Sequence, residues 1–417
     1  MTDLHKTIEA VWRIESTRLI AGIARVTRDI GVAEELAQDA LVAALEQWPS
    51  EGIPENPAAW LMTAAKRRAI DSLRRGPMLE RKHAEIAREL EIRQQQLAEA
   101  LDQSLDQAID DDVLRLIFTA CHPVLAVEGR IALTLRLICG LTTAEIARAC
   151  LLPEKTLGQR IFRAKRTLAE AHVPFEAPRD DELRRRLESV LSVVYLIFNE
   201  GYTATSGEEW MRPSLCEDAL RLGRMLAQLL PAEPEVHALL ALMELQASRT
   251  TARRGHKGEA ILLLDQDRSL WDHAQIQRGM NALQRARRLG GGAGNYALQA
   301  AIVACHARAR TAQETDWERI VLLYDALLQI SPSAIVALNR AVAVGMAHGP
   351  GAGLAAVDQI AADSTLANYH LLPSVRGDML MKAGRGDEAR LEIQRAISMT
   401  KNLRERELLM EKLKQIE

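Results

Sequence analysis

Lys155, Gln159, Arg163 and Arg166 recur at helical spacing within EKTLGQRIFRAKRTL, residues 154 to 168. Residues three and four apart share one face of a helix, so these four form a single basic, amide-bearing stripe. Leu157, Ile161, Ala164 and Leu168 form a separate apolar stripe suited to a core. Guanidinium, ammonium and amide groups in such a row are what a helix needs in a major groove, where arginine reads guanine and glutamine reads adenine. With Thr156 and Arg160 they are the candidate DNA-contacting residues of this helix. A solvated helix face predicts the same charge pattern, so context must decide.

A second basic run, KRRAIDSLRR (66 to 75), carries Lys66, Arg67, Arg68, Arg74 and Arg75 against the lone acid Asp71. Between the runs, residues 76 to 112 hold 10 acidic and 4 basic residues. Residues 1 to 175 total 23 Lys and Arg against 25 Asp and Glu, within a chain of formal net charge -3. Any nucleic-acid footprint is therefore local rather than global.

These residues need helices to position them, and the pattern supplies little else. Helical periodicity covers almost every segment and few runs alternate as strands do, so the fold class is all-α. A first helix is expected over 4 to 30, a second over 32 to 47, and a third from Pro57 or Ala58 to about Arg75. The proline-rich loop PSEGIPENP (49 to 57) separates the second from the third. The polar stretch 80 to 108 has a thin apolar stripe and suits a linker that gains order on a partner. Further on, Thr142 and Glu145 match a capping box before EIARAC, and the turn Leu151-Leu152-Pro153 leads into the basic helix. Helix, short turn, helix with a basic outer face is the layout of a DNA-reading helix-turn-helix.

AEELAQDALVAALEQW (33 to 48), AWLMTAAKRRAIDSLRR (59 to 75) and LTTAEIARACLLPEKTLGQRIFRAKRTL (141 to 168), in that order, resemble regions two and four of bacterial extracytoplasmic-function sigma factors. The resemblance covers about residues 1 to 175 and, with the helical extension beyond, points to the group with a tetratricopeptide-like C-terminal domain. It implies that core RNA polymerase and promoter DNA are the partners, through the β′ clamp helices and the β flap. It gives Glu34, Glu35, Gln38 and Asp39 to the clamp, where acids and an amide would meet basic residues. It gives Trp60, Lys66, Arg67, Arg68, Arg74 and Arg75 to opening the minus-ten element, with loop 49 to 57 capturing an unstacked base. It gives Lys155 to Arg166 to the minus-thirty-five element. Opening a duplex needs cations along the phosphates and a platform for a base, although Trp60 serves equally well as a core anchor. The resemblance also routes the acidic linker along the polymerase's basic RNA-exit path, whereas a plain tether predicts the same composition. Two positions depart from the family's pattern: Arg67, where many relatives carry asparagine, and Gly158, where they carry a basic or polar residue.

The implied layout is region two over 1 to 76, an acidic linker over 77 to 109, region four over 110 to 175, and a helical regulatory domain over 183 to 417. The stretch HVPFEAPRDD (172 to 181) marks the boundary. Near the C-terminus Val321, Ala355 and Ala389 stand 34 apart, as do Leu328, Ala362 and Ala396, the tetratricopeptide period. Gly377, Gly384, Ala389 and Ala396 take its small-residue positions, and 185 to 310 read as degenerate repeats. Such repeats bind a peptide or protein partner, or serve as scaffold. YLIFNEGYTA (195 to 204) is either a ligand corner or a capped helix end, and GGGAG (290 to 294) is expected to be a flexible turn.

Other classes find little support. The 48% hydrophobic and 26% charged content is ordinary for a soluble chain. The longest uncharged runs are broken by glycine, proline and polar residues, and no leader opens the chain, so no membrane partner is expected and the expected location is the cytoplasm. Five scattered cysteines without a CxxC argue against disulfides and a metal site. No catalytic residues, metal or cofactor are expected, since HExxH, GxSxG and GxxxxGK[ST] are all absent. The remaining alternatives are a stand-alone helix-turn-helix regulator with a repeat sensor, and a scaffold with a fortuitous basic helix.

Overall fold

Amphipathic stripes bury when helices pack on one another, and the computed structural model has this all-α architecture. It describes residues 3–74, 105–150, 152–203, 211–255, 259–367, 369–400 and 402–416, with no strand among them. The chain divides into two units, Met1–Val194 and Tyr195–Glu417.

The first unit starts with α1 (Asp3–Thr27), α2 (Ile30–Glu51) and α3 (Pro57–Arg74). Asp29 caps α2 by accepting from the Gly31 and Val32 amides. The expected break at Pro49 comes three residues later. A proline keeps helical φ and costs one hydrogen bond; the carbonyl it leaves, on Leu45, belongs to an exposed residue. Gly52, at φ 86°, ends the helix with its amide on the Trp48 carbonyl. Then follow α4 (Leu105–Ala120), α5 (Val127–Leu137), α6 (Thr143–Ala149) and α7 (Glu154–Glu170). The linker from 77 to 104 lies outside the described residues. α4 packs on α1, while α7 packs on α5 and α6.

α8 (Asp180–Tyr202) runs past the division of the chain. In the second unit come α9 (Pro213–Leu229), α10 (Pro234–Ala247), α11 (His273–Arg288) and α12 (Asn295–Arg308). Between α10 and α11 the chain leaves the helical pattern expected over 185 to 310 and runs through three short 3-10 turns. Two arginines pin this stretch. Arg253 lies over the Tyr202 ring, 3.5 Å from its centroid, and donates to the Tyr202 carbonyl and the Thr203 hydroxyl. Arg268 donates to the His306 and Ala309 carbonyls at the end of α12. The YLIFNEGYTA stretch is thus a packed corner, and Glu200 in it pairs with Arg212. GGGAG forms the expected turn between α11 and α12, and within it a side chain at Gly291 would meet Pro234.

α13 (Trp317–Ile330), α14 (Ala334–His348), α15 (Pro350–Ile360), α16 (Leu371–Lys382), α17 (Gly386–Met399) and α18 (Leu403–Lys414) pack chiefly on their sequence neighbours, the arrangement of a solenoid. The period is uneven. Trp317 to Pro350 spans 33 residues and Pro350 to Gly386 spans 36. Ala389 and Ala396 are buried as the period requires, whereas Ala355 and Ala362 are exposed. α15 is short, ends before Ala362, and buries Gly353, Leu354 and Val357 instead. Gly353 is needed there because a Cβ would lie 2.8 Å from the Gly345 Cα on α14.

Candidate nucleic-acid and polymerase interface

The apolar stripe of α7 is buried in full: Leu157, Ile161, Ala164 and Leu168 all face the core. α6 holds the helix-turn-helix from the other side through a closed capping box. The Thr142 hydroxyl accepts from the Glu145 amide, and the Glu145 carboxylate accepts from the Thr142 amide at 2.7 Å. Burial alone would raise the Glu145 carboxyl, but the Thr142 hydrogen bonds and the Arg13 and Arg148 charges outweigh it and hold it below the usual range.

With its core face fixed, α7 turns Lys155, Thr156, Gln159, Arg163 and Arg166 to solvent and leaves Arg160 half-buried. Arg166 is lightly tied to Glu170 at 2.7 Å, an exposed pair worth little. Phe162 lies on the same outer face, 66% exposed. Its position three residues beyond Gln159 was available from spacing, and an exposed ring there suits the thymine methyl group.

The three-helix module places the other candidates less uniformly. Trp60 is half-buried and meets the buried Trp48 edge to face, with ring centroids 5.4 Å apart. Arg67 is exposed. Arg68 is half-buried and its guanidinium is 3.4 Å from the Ala64 carbonyl. Lys66 is half-buried and its ammonium is pushed down by burial and then by the Arg25 charge. Asp112 on α4 is pushed up by burial, against Arg25 at 3.2 Å and Arg115 at 2.9 Å. The Arg74 side chain and Arg75 lie outside the described residues.

Of the acidic set, Glu35 and Asp39 are exposed and Gln38 is half-buried. Glu34 departs from expectation. It is 4% exposed, and its carboxylate turns toward the helix-turn-helix module. Arg136 Nε on α5 donates to Oε1 at 2.6 Å, and Gln38 Nε2 donates to the same oxygen at 2.8 Å. Lys165 Nζ on α7 stands 2.5 Å from Oε2, a charge contact rather than an aligned hydrogen bond. Burying a carboxylate is costly unless it is paired and hydrogen-bonded, and these partners satisfy that condition. Arg136 and Lys165 were not singled out by spacing; their role depends on contacts far along the chain.

Around Glu34 the same two modules touch repeatedly. Thr17 donates to the Ile138 carbonyl at 2.9 Å in a buried hydrogen bond. Arg13 pairs with Glu145 at 2.8 Å. Among the described residues no group of three or more His, Cys, Asp or Glu side chains is placed to hold a metal, and no helix is long and apolar enough to cross a membrane.

The three-helix module and the capped helix-turn-helix with its exposed basic face are the two parts of the chain that the sigma-70 family models match. Residues 14–76 match the model for Sigma-70 region 2, and residues 115–168 the model for Sigma-70, region 4. Residues 186–287 match a family of unknown function, DUF6596. The chain is 42% identical over 390 residues to "Uncharacterized protein R00370" of Rhizobium meliloti, covering 93% of this chain and 90% of that protein. It is 31% identical over 156 residues to "ECF RNA polymerase sigma factor SigK" of Mycobacterium ulcerans, covering 36% of this chain and 78% of that protein. No solved structure matches. The chain belongs to the extracytoplasmic-function (ECF) RNA polymerase sigma factor family.

Proposed function

We propose that this sigma factor acts in the cytoplasm and binds core RNA polymerase through residues 10 to 48, with Glu35 and Asp39 offering carboxylates to the β′ clamp. Residues 49 to 75 then open the minus-ten element. Arg67 and Arg68 neutralise phosphates there, while Trp60 braces the helix against Trp48. Residues 142 to 168 read the minus-thirty-five element with Lys155, Thr156, Gln159, Arg160, Arg163 and Arg166, assisted by Phe162. The helical unit beyond regulates initiation and docks a protein or peptide partner. Region four also meets the β flap.

The observation that carries this reading is the exposed row Lys155, Gln159, Arg163 and Arg166 on a helix whose opposite face is fully buried. A stand-alone regulator would use such a helix as well, but it has no need of a region-two module. The test is transcription reconstituted from core polymerase and either the full chain or residues 1 to 180, on a promoter library with start sites sequenced. Specific starts sharing two upstream elements support the reading, and the yields of the two forms give the sign of C-terminal control. DNA binding without specific starts would overturn it in favour of a stand-alone regulator.

A further inference from the structure

A carboxylate that the family resemblance assigns to polymerase, Glu34, is already taken in the free protein. Glu34 sits beside the exposed Glu35 on α2, yet it is buried against α5 and α7 with Arg136, Lys165 and Gln38 around it. Charge-assisted contacts of this kind are the strong ones. Its neighbours reinforce the closure: Thr17 on the Ile138 carbonyl, Arg25 on Asp112, and Arg13 on Glu145.

The closed unit is also too small for the task. Elements centred 10 and 35 base pairs upstream of a start lie about 25 steps apart, or roughly 85 Å along a duplex at 3.4 Å per step. A compact body of the size of Met1–Val194 has a radius of gyration of about 16 Å, hence a diameter of roughly 40 Å. It cannot place one module on each element without coming apart.

We propose that Glu34 is an intramolecular latch. Held by Arg136 and Lys165, it keeps the region-two module on the helix-turn-helix module in the free protein. A basic surface of core polymerase opens the unit by taking over the carboxylate. Opening also frees Lys165, which lies on the flank of the basic stripe, to join the phosphate contacts. The trigger rests on the sigma-factor reading, whereas the latch in the free chain does not.

Single-molecule energy transfer on the full chain tests both, with dyes attached through click-reactive amino acids at the exposed positions Gln47 and Ala169. The free wild-type chain should show one high-transfer population, and core polymerase should convert it to low transfer. Glu34→Gln keeps the side-chain volume and removes the charge; it should raise the low-transfer population roughly tenfold or more. The double variant Arg136→Met/Lys165→Met should do the same from the other side. Circular dichroism confirms that each remains helical. A wild-type chain already at low transfer, or two folded variants that stay at high transfer, overturns the latch. So does polymerase that binds without changing the transfer. If both variants open the free chain but polymerase fails to bind in a parallel pull-down, the sigma-factor reading falls and the latch stands.

Discussion

The Trp48 and Trp60 rings meet edge to face, 5.4 Å between centroids and 68° between planes, joining α2 to α3 across the loop that separates them. Trp48 is 2% exposed and Trp60 is half-buried. Trp60 therefore anchors the helix that carries Lys66, Arg67 and Arg68. Trp60→Ala should lower the stability of this module by about 2–3 kcal/mol through lost burial and ring contact. Trp60→Phe keeps an aromatic edge and should lose far less. Calorimetry of the first unfolding transition reads this. A stable Trp60→Ala chain that binds promoter DNA but cannot open it would instead make Trp60 a stacking platform.

Arg163 and Lys155 share the exposed face of α7 but should behave differently when removed. A bidentate arginine on a guanine contributes about 1–3 kcal/mol of discrimination, so Arg163→Ala should weaken specific binding roughly 5- to 150-fold and relax the base preference at one position. Lys155→Ala should weaken binding to all sequences alike and reduce the salt slope by about one. Fluorescence anisotropy across a salt series separates the two patterns. Equal loss on all sequences for both variants would mean that neither reads bases.

The capping box gives a pH dependence with a definite sign. Glu145 has a folded-state pKa held below its ordinary 4.5 by the Thr142 hydrogen bonds and Arg13, against the opposing effect of burial. A depressed carboxyl contributes stability above its unfolded value and loses it as pH falls through the folded value. Hydrogen exchange of the α6 amides should therefore be slower in wild type than in Glu145→Gln at pH 7, and the gap should shrink as pH falls below the ordinary carboxyl value of 4.5. Thr142→Ala should speed the same amides by an amount equivalent to about 1 kcal/mol. A gap that persists unchanged in acid would remove the carboxylate from the explanation.

The readable parts of this chain were those set by local chemistry. The stripe of Leu157, Ile161, Ala164 and Leu168 follows from period alone, and the box at Thr142 and Glu145 from a spacing of three. Glu34 was not readable in the same way. Its sequence neighbours Glu35 and Asp39 are exposed as an acidic helix face should be, but its fate is decided by Arg136, 102 residues away, and by Lys165. The tetratricopeptide period failed at Ala355 and Ala362 for a related reason. The helices start 33 and 36 residues apart instead of 34, which turns Ala355 away from the inward face, and α15 ends before Ala362. Arg253 and Arg268 hold the non-helical stretch before α11 through partners that no local pattern reveals.

Gly158 separates stability from recognition on one helix. It lies inside α7 without a positive φ, and a Cβ built there meets nothing within 4 Å. Glycine inside a helix is weaker than alanine by roughly 0.5–1 kcal/mol because more backbone entropy is lost. Among the described residues no atom stands in the way of an alanine there. The flank of the basic stripe is where Gly158 lies, between Lys155 and Phe162, so the space beside it is available for a DNA backbone to approach. Gly158→Ala should therefore stabilise α7, slowing exchange of its amides, while weakening minus-thirty-five binding several-fold. Opposite signs in the two measurements mark a residue kept small for its ligand. Higher stability with unchanged affinity would show that the glycine is merely tolerated and that the DNA backbone does not come close at this turn.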